Sequence, residues 1–592
     1  MLSPTATNAN PSLLILEFGF TAIAIALAFA WPRFGSSFFA RIESASGKLA
    51  RRKGLAATCV GLSVLLARLA IVPLYPVPLP FCPDDFSFQL ASDTFALGRL
   101  TNPTPAMWAH FESIHITMKP TYMSMYFPGQ GLIMAAGKVL LGSPWLVILI
   151  VSALMCAALC WMLQAWLPPS WALLGGVVAA LRLGIFSYWT NTYHAAGSLA
   201  ALGGALILGS LPRIKRKPNF RYWLLMGIGI AIVGLTRPFE GTLLCIPVLV
   251  ALIHWLRTSP TRPSAAVLVR RTVAPMAVVI AAGAWLAYYD YRAFGSPTTL
   301  PYTVDRNTYA IAPYYVWQPS RPEPAYRHPM MRKFYDEGEL KYYTSIHSVT
   351  GFVPETTEKI GFFFLFYSGF ALAPPLLMMR RIFLDRRIRF LVICVVILAA
   401  GMLIEIFLLP HYVAPFTGAF YAIGLQAMRH LRLWKPESKP VGLTLARMTI
   451  AICVVMAGIR LFAQPLHLAA AEWPASNWNF TWFGPEHFGI ARAQIEAKLA
   501  KLPGQQLVIV RYNPDHNPFD EWVYNAPDID SSKVVWAREM GPEDNRELIQ
   551  YYAHRKVWLV EPDAVPARIS PYPVPDPNEA AAHRRLSGHP GV

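Results

Sequence analysis

The sequence predicts a mainly α-helical protein that crosses a membrane many times and ends in a small α/β unit. Of the 592 residues, 54% are hydrophobic and only 15% are charged. Many apolar runs approach the ~20 residues that a helix needs to cross a bilayer. After the last of these runs, short strand-like and helix-like patterns alternate, which indicates a small sheet with helices packed on it.

The first element is the apolar run from Leu13 to Trp31, which we interpret as an uncleaved membrane span. No Lys or Arg precedes it and no small-residue cleavage site follows it, which argues against a secretory signal peptide. With the later apolar runs, the sequence predicts about 12 transmembrane helices. The predicted spans are 13–31, 54–74, 145–166, 171–185, 187–210, 221–236, 238–256, 272–290, 358–379, 388–409, 412–430 and 441–463.

Loops rich in Lys and Arg set the orientation of the spans, because short basic loops stay in the cytoplasm. The chain must cross an even number of times between two such loops, so the segment 128–142 must not cross. It is short, opens with Pro and Gly and carries Lys138, which favours a re-entrant or surface helix. Both termini and the loop 75–144 are then expected outside the cytoplasm. The basic loops are 32–53, 211–221, 257–271, 380–389 and 429–439.

The formal net charge of +18 is mostly explained by these loops. The basic residues are dispersed among turns instead of forming one patch, which excludes a nucleic-acid-binding protein. Six of the seven cysteines fall inside predicted spans, and only Cys82 lies in an outer loop. This distribution excludes a disulfide framework and a CxxC metal site. We therefore expect a multi-pass protein of the cytoplasmic (inner) membrane, surrounded by membrane lipids.

The first outer loop (75–144) contains adjacent carboxylates, Asp84 and Asp85, directly after Pro83. They begin an amphipathic pattern, which predicts a helix lying at the membrane surface. One interpretation is helix capping, for which a single carboxylate is enough. The other is catalysis, because an acid at the membrane boundary meets both a lipid-borne and a water-borne substrate and can take a proton from an attacking hydroxyl.

Other polar residues are expected at the same outer face. The turn LTRPFEG holds Arg237 and Glu240, and SYWTNTYHAAG holds His194. For these the alternatives are an Arg–Glu ion pair and interfacial anchoring by the neighbouring aromatics. Three residues of the first outer loop could face a phosphate leaving group as hydrogen-bond donors or charge partners. They are His110, His115 and Lys119.

This arrangement resembles the C-type (GT-C) glycosyltransferases that use polyprenyl-phosphate sugars, including aminoarabinose transferases and protein O-mannosyltransferases. In that family the first large outer loop starts with an Asp-acid pair, runs through surface helices and passes a Pro-containing aromatic stretch, as PDDFSFQ, DTFALGRL and YFPGQGLIMAAG do here. The resemblance implies that Asp84 is the catalytic acid. The Lys-Pro-Pro element of the aminoarabinose enzymes is replaced here by Tyr126, Phe127 and Pro128, which leaves Lys119 as the substitute phosphate ligand.

A second segment, LLPHYVAPFTGAFYAIG, resembles the family's basic-residue, Tyr, Pro segment at the start of a late span. Here His411 stands in place of the usual Lys or Arg and is followed by Tyr412. The resemblance implies contact with the donor phosphate, with a charge that depends on pH because histidine is only partly protonated near neutrality. It covers roughly residues 54–463.

The function that the resemblance implies is a membrane glycosyltransferase. It would move a sugar from a polyprenyl-phosphate donor to an unknown acceptor, a lipid, glycan or protein, on the outer face of the membrane. The expected general base is Asp84, with Asp85 orienting it or the acceptor, because neighbouring residues on a helix point about 100° apart and are poorly placed to share one ion. No metal site is assigned, and a divalent metal stays open as a cofactor.

The second outer loop (291–357) is rich in Tyr, Pro, Trp and charged residues, which is atypical of a disordered linker. One interpretation is that it folds over the site and stacks aromatic rings on a sugar. The alternative is an ordered cover packed by its own side chains.

The C-terminal unit (464–592) follows the transmembrane domain (1–463). Its predicted strands are QLVIV, KVVWA and KVWLVEP, with helices at FGIARAQIEAKLAKL and EDNRELIQYYAHR. The first strand runs into RYNPDHNPFDEWVYN, at the end where open α/β sheets place ligands, so we expect this unit to position the acceptor. The acids and histidine of that loop suit either a metal or tight turns, and the Asn-Pro pairs favour turns. These residues are Asp515, His516, Asp520 and Glu521.

A transporter or lipid flippase is the alternative function. Such proteins usually bury charges within spans and show repeated halves with broken helices. Here the charges within predicted spans are few and include Arg68, Arg182 and Glu405, and the sequence shows no matching half. These observations favour the transferase.

Overall fold

The computed structural model describes residues 13–194, 196–260, 262–463, 465–466, 468, 481–484 and 488–572. It is mainly helical with a small C-terminal sheet, as predicted. In this part of the chain, 7 helices are long and apolar enough to cross a membrane, or 8 if one bent pair counts as a span. The seven are Leu13–Ala30, Lys53–Ala70, Pro144–Trp166, Gly197–Arg216, Pro238–Thr258, Ala265–Phe294 and Val441–Leu461.

The total of about 12 spans stays a prediction, because the remaining predicted spans form shorter helices or a broken one. The shorter helices are Pro169–Ile185, Phe220–Thr236, Arg389–Ile404 and Thr417–Arg432. Gly129–Leu141, in the segment predicted not to cross, is also a short apolar helix.

The predicted span 358–379 is not one helix. The helix Val349–Phe363 passes into a π-helical turn and ends at Gly369, whose φ of 56° lies in the left-handed region that favours glycine. Two prolines at the start of Pro374–Met378 then lack the N–H groups that a continuing helix needs. The chain meets Arg389–Ile404 at a bend of 107°.

The first outer loop contains the helix Pro83–Ala96, which we call the acid helix. Pro83 is at its first turn, where a missing N–H costs nothing, and both acids follow in the same turn. Every residue of this helix is buried or half-buried, so the prediction of an amphipathic helix with an exposed face was wrong, and its place at the membrane surface stays a prediction. Polar side chains are tolerated there because they find partners, as when the Ser87 hydroxyl donates to the His115 carbonyl.

The rest of the first outer loop is built from short elements. A 3₁₀ turn, Trp108–Phe111, leads into a two-stranded antiparallel hairpin that pairs Ile116–Thr117 with Met123–Ser124. The helix Gly129–Leu141 follows and packs on the acid helix. The hairpin therefore brings the residues on either side of it close together.

The second outer loop follows the long helix Ala265–Phe294. A cluster of its own buried side chains packs together with Ile114 of the first outer loop. The second outer loop is therefore packed by its own side chains, as one of the two interpretations expects. Its helical segments are Pro301–Tyr309, Pro329–Arg332, Lys333–Leu340, Lys341–His347 and the start of Val349–Phe363.

The C-terminal unit contains a four-stranded sheet. In spatial order its strands are Val534–Arg538, Gln506–Val510, Lys556–Glu561 and Arg568–Pro571. The first three are parallel and match the three predicted strands, whereas the fourth is antiparallel and was not predicted. The helices are Ile490–Ala500 and Pro542–Tyr551.

The sheet shares a hydrophobic core with the first outer loop. Val508 and Val510 face the helix Ile490–Ala500, whereas Leu507 and Ile509 pack in one cluster with side chains of the first outer loop. A parallel sheet needs both faces covered, and here the transmembrane part of the chain supplies one cover. The partners from the first outer loop are Leu90, Phe111, Ile116, Met118 and Tyr122.

Candidate active site

Asp84 lies in the first turn of the acid helix and is held by two side chains. The Tyr126 hydroxyl donates a hydrogen bond to its Oδ1, and His115 Nδ1 lies 3.0 Å from the same oxygen. Tyr126 Oη and His115 Nδ1 are also 3.0 Å apart. The Asp84 side chain is still 25% exposed, so one side of the carboxylate remains accessible.

The hairpin positions both of these partners. His115 immediately precedes its first strand and Tyr126 follows its second, so pairing of the strands brings them to the same end. His115 has a φ of 64°, which is uncommon for a residue with a side chain. Its carbonyl accepts hydrogen bonds from Ser87 Oγ at 2.6 Å and from the Met125 N–H at 3.2 Å, and these bonds hold the unusual backbone.

Asp84 and His115 form a charged pair, and Tyr126 is a neutral hydrogen-bond donor to Asp84. Burial alone would raise the pKa of Asp84, but the charge and hydrogen bond of His115 outweigh it and hold that pKa well below its usual range. For His115, burial would lower the pKa, and the Asp84 carboxylate instead raises it. Asp84 is therefore ionised at neutral pH and stabilises an imidazolium beside it.

Asp85 has a different role, because its side chain is fully buried. Its Oδ1 accepts hydrogen bonds from the N–H groups of Tyr193 and His194, both at 2.9 Å, and lies 2.8 Å from His194 Nδ1. Its Oδ2 accepts from the Phe81 N–H at 3.3 Å. Asp85 thus ties the turn before the helix Gly197–Arg216 to the acid helix.

The structure does not support capping as the role of the pair. The N-cap residue is Cys82, whose side chain makes no capping hydrogen bond. Asp84 Oδ1 contacts side chains, whereas Asp85 Oδ1 accepts from the backbone of a distant turn and its Oδ2 from the Phe81 N–H just before the helix. The two acids retain only the general benefit of negative charge near a helix N-terminus.

A basic and aromatic group lies next to His194. The Arg237 guanidinium lies 4.3 Å from the centre of the Tyr412 ring, and His411 Nδ1 lies 3.0 Å from Tyr188 Oη. The rings of His411 and His194 are 6.4 Å apart. Burial and the charge of Arg237 lower the pKa of His411 well below its usual range. This lowered pKa favours a neutral imidazole near neutrality, unlike the partly charged one that the sequence predicts, and leaves Arg237 as the cation of this group.

The second outer loop contributes residues that the sequence did not single out. The Tyr302 ring packs edge-on against Tyr126 at 5.6 Å, and its centre lies 5.4 Å from that of Phe127. Tyr314 in turn packs on Tyr302 at 5.6 Å. The loop therefore covers the Asp84 site while also packing on itself. The aromatic richness of the loop was the only sequence feature that pointed to this contact.

Two buried carboxylates lie near Arg237. Glu240 is buried one turn after it, and Glu405 is buried within electrostatic reach of both residues. Lys359 Nζ donates to the Glu405 carbonyl at 3.1 Å. In the sequence, Glu405 is apparent only as a charge within a predicted span.

His110 and Lys119 are not brought to Asp84, contrary to expectation. His110 is buried, with Nδ1 3.2 Å from the Arg538 carbonyl of the C-terminal unit. Lys119 is exposed, with Nζ 4.1 Å from the centre of the Trp108 ring. The physical reason is the hairpin, since its tip carries Lys119 away while its ends approach Asp84.

Among the described residues, Cys82, Asp85 and His194 have ligand atoms close enough to hold a metal ion, within 4.8 Å of one another. Asp85 Oδ1 already accepts two backbone N–H groups and faces His194 Nδ1, and an ion would have to compete with these donors. The geometry therefore describes a complete hydrogen-bonded tie, and we assign no catalytic step to a metal.

Two residues of the C-terminal unit bind the segment just before His115. Glu521 is buried and accepts hydrogen bonds from Arg538 Nη2 at 2.6 Å and from Ser113 Oγ at 2.9 Å. Arg538 Nε donates to the Glu112 carbonyl at 2.5 Å. Ser113 and Glu112 lie two and three positions before His115. The buried Glu521–Arg538 pair therefore fixes the backbone that presents His115.

The loop RYNPDHNPFDEWVYN contains two short turns, as favoured from the sequence, and His516 and Glu521 also bind residues outside it. His516 Nδ1 lies 2.6 Å from Asp563, and its Nε2 lies 2.9 Å from the Asp520 carbonyl. The same loop reaches the site through Phe519, whose ring contacts Phe334 at 5.4 Å. Phe334 in turn lies 5.2 Å from the His115 ring.

No protein-family model and no curated protein matches this chain. Among solved structures, it is similar to apo ArnT from Cupriavidus metallidurans, with 12% identity, a TM-score of 0.46 and coverage of 88% of this chain and 94% of that one. It is also similar to the Archaeoglobus fulgidus oligosaccharyltransferase, with 11% identity, a TM-score of 0.42 and coverage of 86% and 67%. A structure of AglB from that organism with an inhibitory peptide and dolichol-phosphate has 12% identity, a TM-score of 0.41 and coverage of 85% and 69%. ArnT and AglB are C-type glycosyltransferases, the family that the sequence resembles.

Proposed function

We propose that this chain is a membrane glycosyltransferase that moves a sugar from a polyprenyl-phosphate donor to an acceptor on the outer face of the cytoplasmic membrane. One observation carries the proposal. An ionised and accessible carboxylate, Asp84, lies within electrostatic reach of His411 and Tyr412, and the Tyr412 ring in turn contacts the buried cation Arg237. Group transfer from a lipid phosphate needs these two functions, a base for the acceptor and a cation for the leaving group.

In the proposed reaction, an acceptor hydroxyl attacks the anomeric carbon of the sugar. A new bond forms between the acceptor oxygen and that carbon, and the bond from the carbon to the phosphate oxygen breaks. The phosphate leaves with the electron pair, and the hydroxyl proton passes to Asp84. Since the pKa of Asp84 is low, this transfer occurs late, once bonding to the sugar has made the hydroxyl more acidic.

Arg237 is the proposed ligand of the donor phosphate. A guanidinium stays charged when buried and offers planar, paired donors that match phosphate oxygens. Tyr412 holds it from one face through a cation–π contact. His411 stays neutral and supplies a hydrogen bond, so the positive charge that the family carries at this position comes here from Arg237.

The second outer loop and the C-terminal unit are proposed to bind the sugar and the acceptor. Tyr302 and Tyr314 present aromatic faces next to Tyr126, as sugar-binding sites commonly do. The C-terminal loop reaches His115 through Phe519 and Phe334, which supports a role in positioning the acceptor beside the base.

Two of the charges within predicted spans have structural partners. Arg182 pairs with Glu17 at 3.2 Å, and both side chains are fully buried. Arg68 donates to Asn191 Oδ1 and to the carbonyls of Tyr75 and Pro76. Groups tied to the protein in this way are poorly suited to carry ions or substrate through the bundle.

The test is donor consumption by the purified protein. We expect wild-type protein to release polyprenyl phosphate from one member of a panel of polyprenyl-phosphate sugars, in the presence of an envelope extract as acceptor. Asp84→Asn should bind that donor and release nothing. If the protein moves a labelled lipid across vesicles without consuming it, the transferase proposal is wrong and the flippase alternative is correct.

A further inference from the structure

A cleft of about 290 Å³ opens where the helix Gly197–Arg216 ends. This helix begins three residues after His194 and has 20 residues, so its far end lies ~30 Å from the Asp84 site. The helix Arg389–Ile404 runs between the same two regions, from Phe390 to a point next to Glu405. The cleft is therefore separate from the proposed catalytic site. It is lined by Trp166, Lys215, Arg216, Arg386, Arg387 and Phe390, among others.

Two aromatic rings line the cleft. Trp166 and Phe390 are nearly parallel, with an interplanar angle of 5° and centres 5.9 Å apart. Trp166 Nε1 donates to the Leu208 carbonyl at 3.1 Å, and Arg216 Nη2 donates to the Ala165 carbonyl at 2.8 Å. These bonds tie the ends of neighbouring helices together, so the cleft is a built feature of the fold.

The positive charge in the cleft has no acidic partner among the residues that the structure describes. None of Lys215, Arg216, Arg386 and Arg387 forms an ion pair there. Asp385, the adjacent acid, is occupied by Gln426 Nε2 at 2.5 Å and His430 Nε2 at 3.1 Å. Four cations gathered around one opening create a positive potential that attracts an anion.

We infer that this cleft binds the head group of an anionic membrane phospholipid. Basic pockets between membrane helices are suited to such head groups, and the aromatic walls would contact the glycerol and upper acyl region. On the adjoining turn, Phe383 and Leu384 are 60% and 71% exposed, which suits contact with acyl chains. A small soluble anion would use the charges and leave the apolar surfaces without a partner.

The experiment compares two double variants of the full-length protein. Arg386→Gln with Arg387→Gln removes two charges from the cleft and leaves its walls intact. Arg380→Gln with Arg381→Gln removes two exposed charges from the preceding helix, outside the cleft lining, and is the matched control. Each protein is equilibrated in mixed micelles with phosphatidylglycerol or phosphatidylcholine, and bound lipid is counted by native mass spectrometry.

We expect wild type and control to retain one phosphatidylglycerol in preference to phosphatidylcholine. The cleft variant should bind it about 30-fold more weakly, as expected for the loss of two basic contacts to an anionic lipid. Lys215→Gln removes one basic contact and should weaken binding about 5-fold. This variant provides a second measurement if the double variant purifies poorly.

Two results would overturn the inference. Equal loss of lipid in the cleft variant and the control would mean diffuse attraction to basic turns. Full competition by soluble glycerol phosphate at the same concentration as the lipid would mean that the cleft binds a free anion. Neither result would affect the proposed transferase activity, which is measured separately by donor consumption.

Discussion

Replacing each of the two adjacent acids by its amide should separate their roles. Asp84→Asn keeps the size of the side chain and an oxygen that can accept from Tyr126, but it cannot take a proton. Removal of a general base typically costs about 10²–10⁴ in rate. At ~1.36 kcal/mol per factor of ten, this loss is about 2.7–5.4 kcal/mol of transition-state stabilisation. The folded state loses only the charge-assisted contact with His115, about 1–3 kcal/mol.

Asp85→Asn should instead act on folding. Its oxygens accept from three backbone N–H groups, those of Phe81, Tyr193 and His194, and the side chain has no exposed surface. An amide places an NH₂ group where one carboxylate oxygen accepts, which leaves buried donors facing each other. Each unsatisfied buried group costs about 1–3 kcal/mol, a large share of a total stability of about 5–15 kcal/mol.

The assay measures thermal unfolding and donor release on the same preparations, with donor binding as the third quantity. We expect Asp84→Asn to melt below wild type by no more than the loss of one charge-assisted contact requires, and to bind donor while its release rate falls by at least a hundredfold, the lower end of about 10²–10⁴. Asp85→Asn should melt earlier and lose donor binding and release together. A stable, donor-binding but inactive Asp85→Asn beside a fully active Asp84→Asn would show that the two roles are assigned in reverse.

Three further predictions follow from the same structure. Because the carboxylate partner of His115 raises its pKa, the stability that the pair contributes is present below about pH 6.5 and is lost as pH rises through the higher folded pKa. The melting difference between wild type and His115→Gln should therefore shrink on going to alkaline pH, and a constant difference would exclude the charged pair. Glu521→Gln breaks the buried pair with Arg538 and should cost about 3–5 kcal/mol by denaturant unfolding, whereas a loss below about 1 kcal/mol would show that the pair does not fix the site. Asp515→Cys should react with a membrane-impermeant maleimide on intact cells and Arg381→Cys only after lysis, and the opposite pattern would reverse the proposed orientation.

Local patterns in the sequence were enough to predict several elements correctly. The acid helix begins where Pro83 and the two acids predict it, because the first turn tolerates proline and favours negative charge. The three parallel strands coincide with short β-branched runs, which are typical of strands buried on both faces. These features depend on neighbouring residues, which a single sequence displays directly.

The contacts that define the site depend on residues far apart in the chain and could not be read in this way. Asp85 binds backbone groups more than a hundred residues away, and Tyr302 reaches Tyr126 from another loop. The placement of Lys119 depends on a hairpin with two-residue strands, which leaves almost no periodic pattern. Helix geometry was enough to predict that the neighbouring acids face different groups, whereas the identity of their partners needed the fold.

The shared core between the sheet and the first outer loop changes how the two predicted domains should be understood. Leu507 and Ile509 pack with the acid helix and the hairpin, and the Glu521–Arg538 pair holds the backbone just before His115. A displacement of the sheet would therefore move the imidazolium that keeps Asp84 ionised. The Phe519 loop is linked to His115, the partner of Asp84, through the Phe334 ring, which contacts both Phe519 and His115. The C-terminal unit is continuous in sequence and small enough to fold as a domain, yet the free energy that positions His115 beside Asp84 is distributed across its boundary with the transmembrane part.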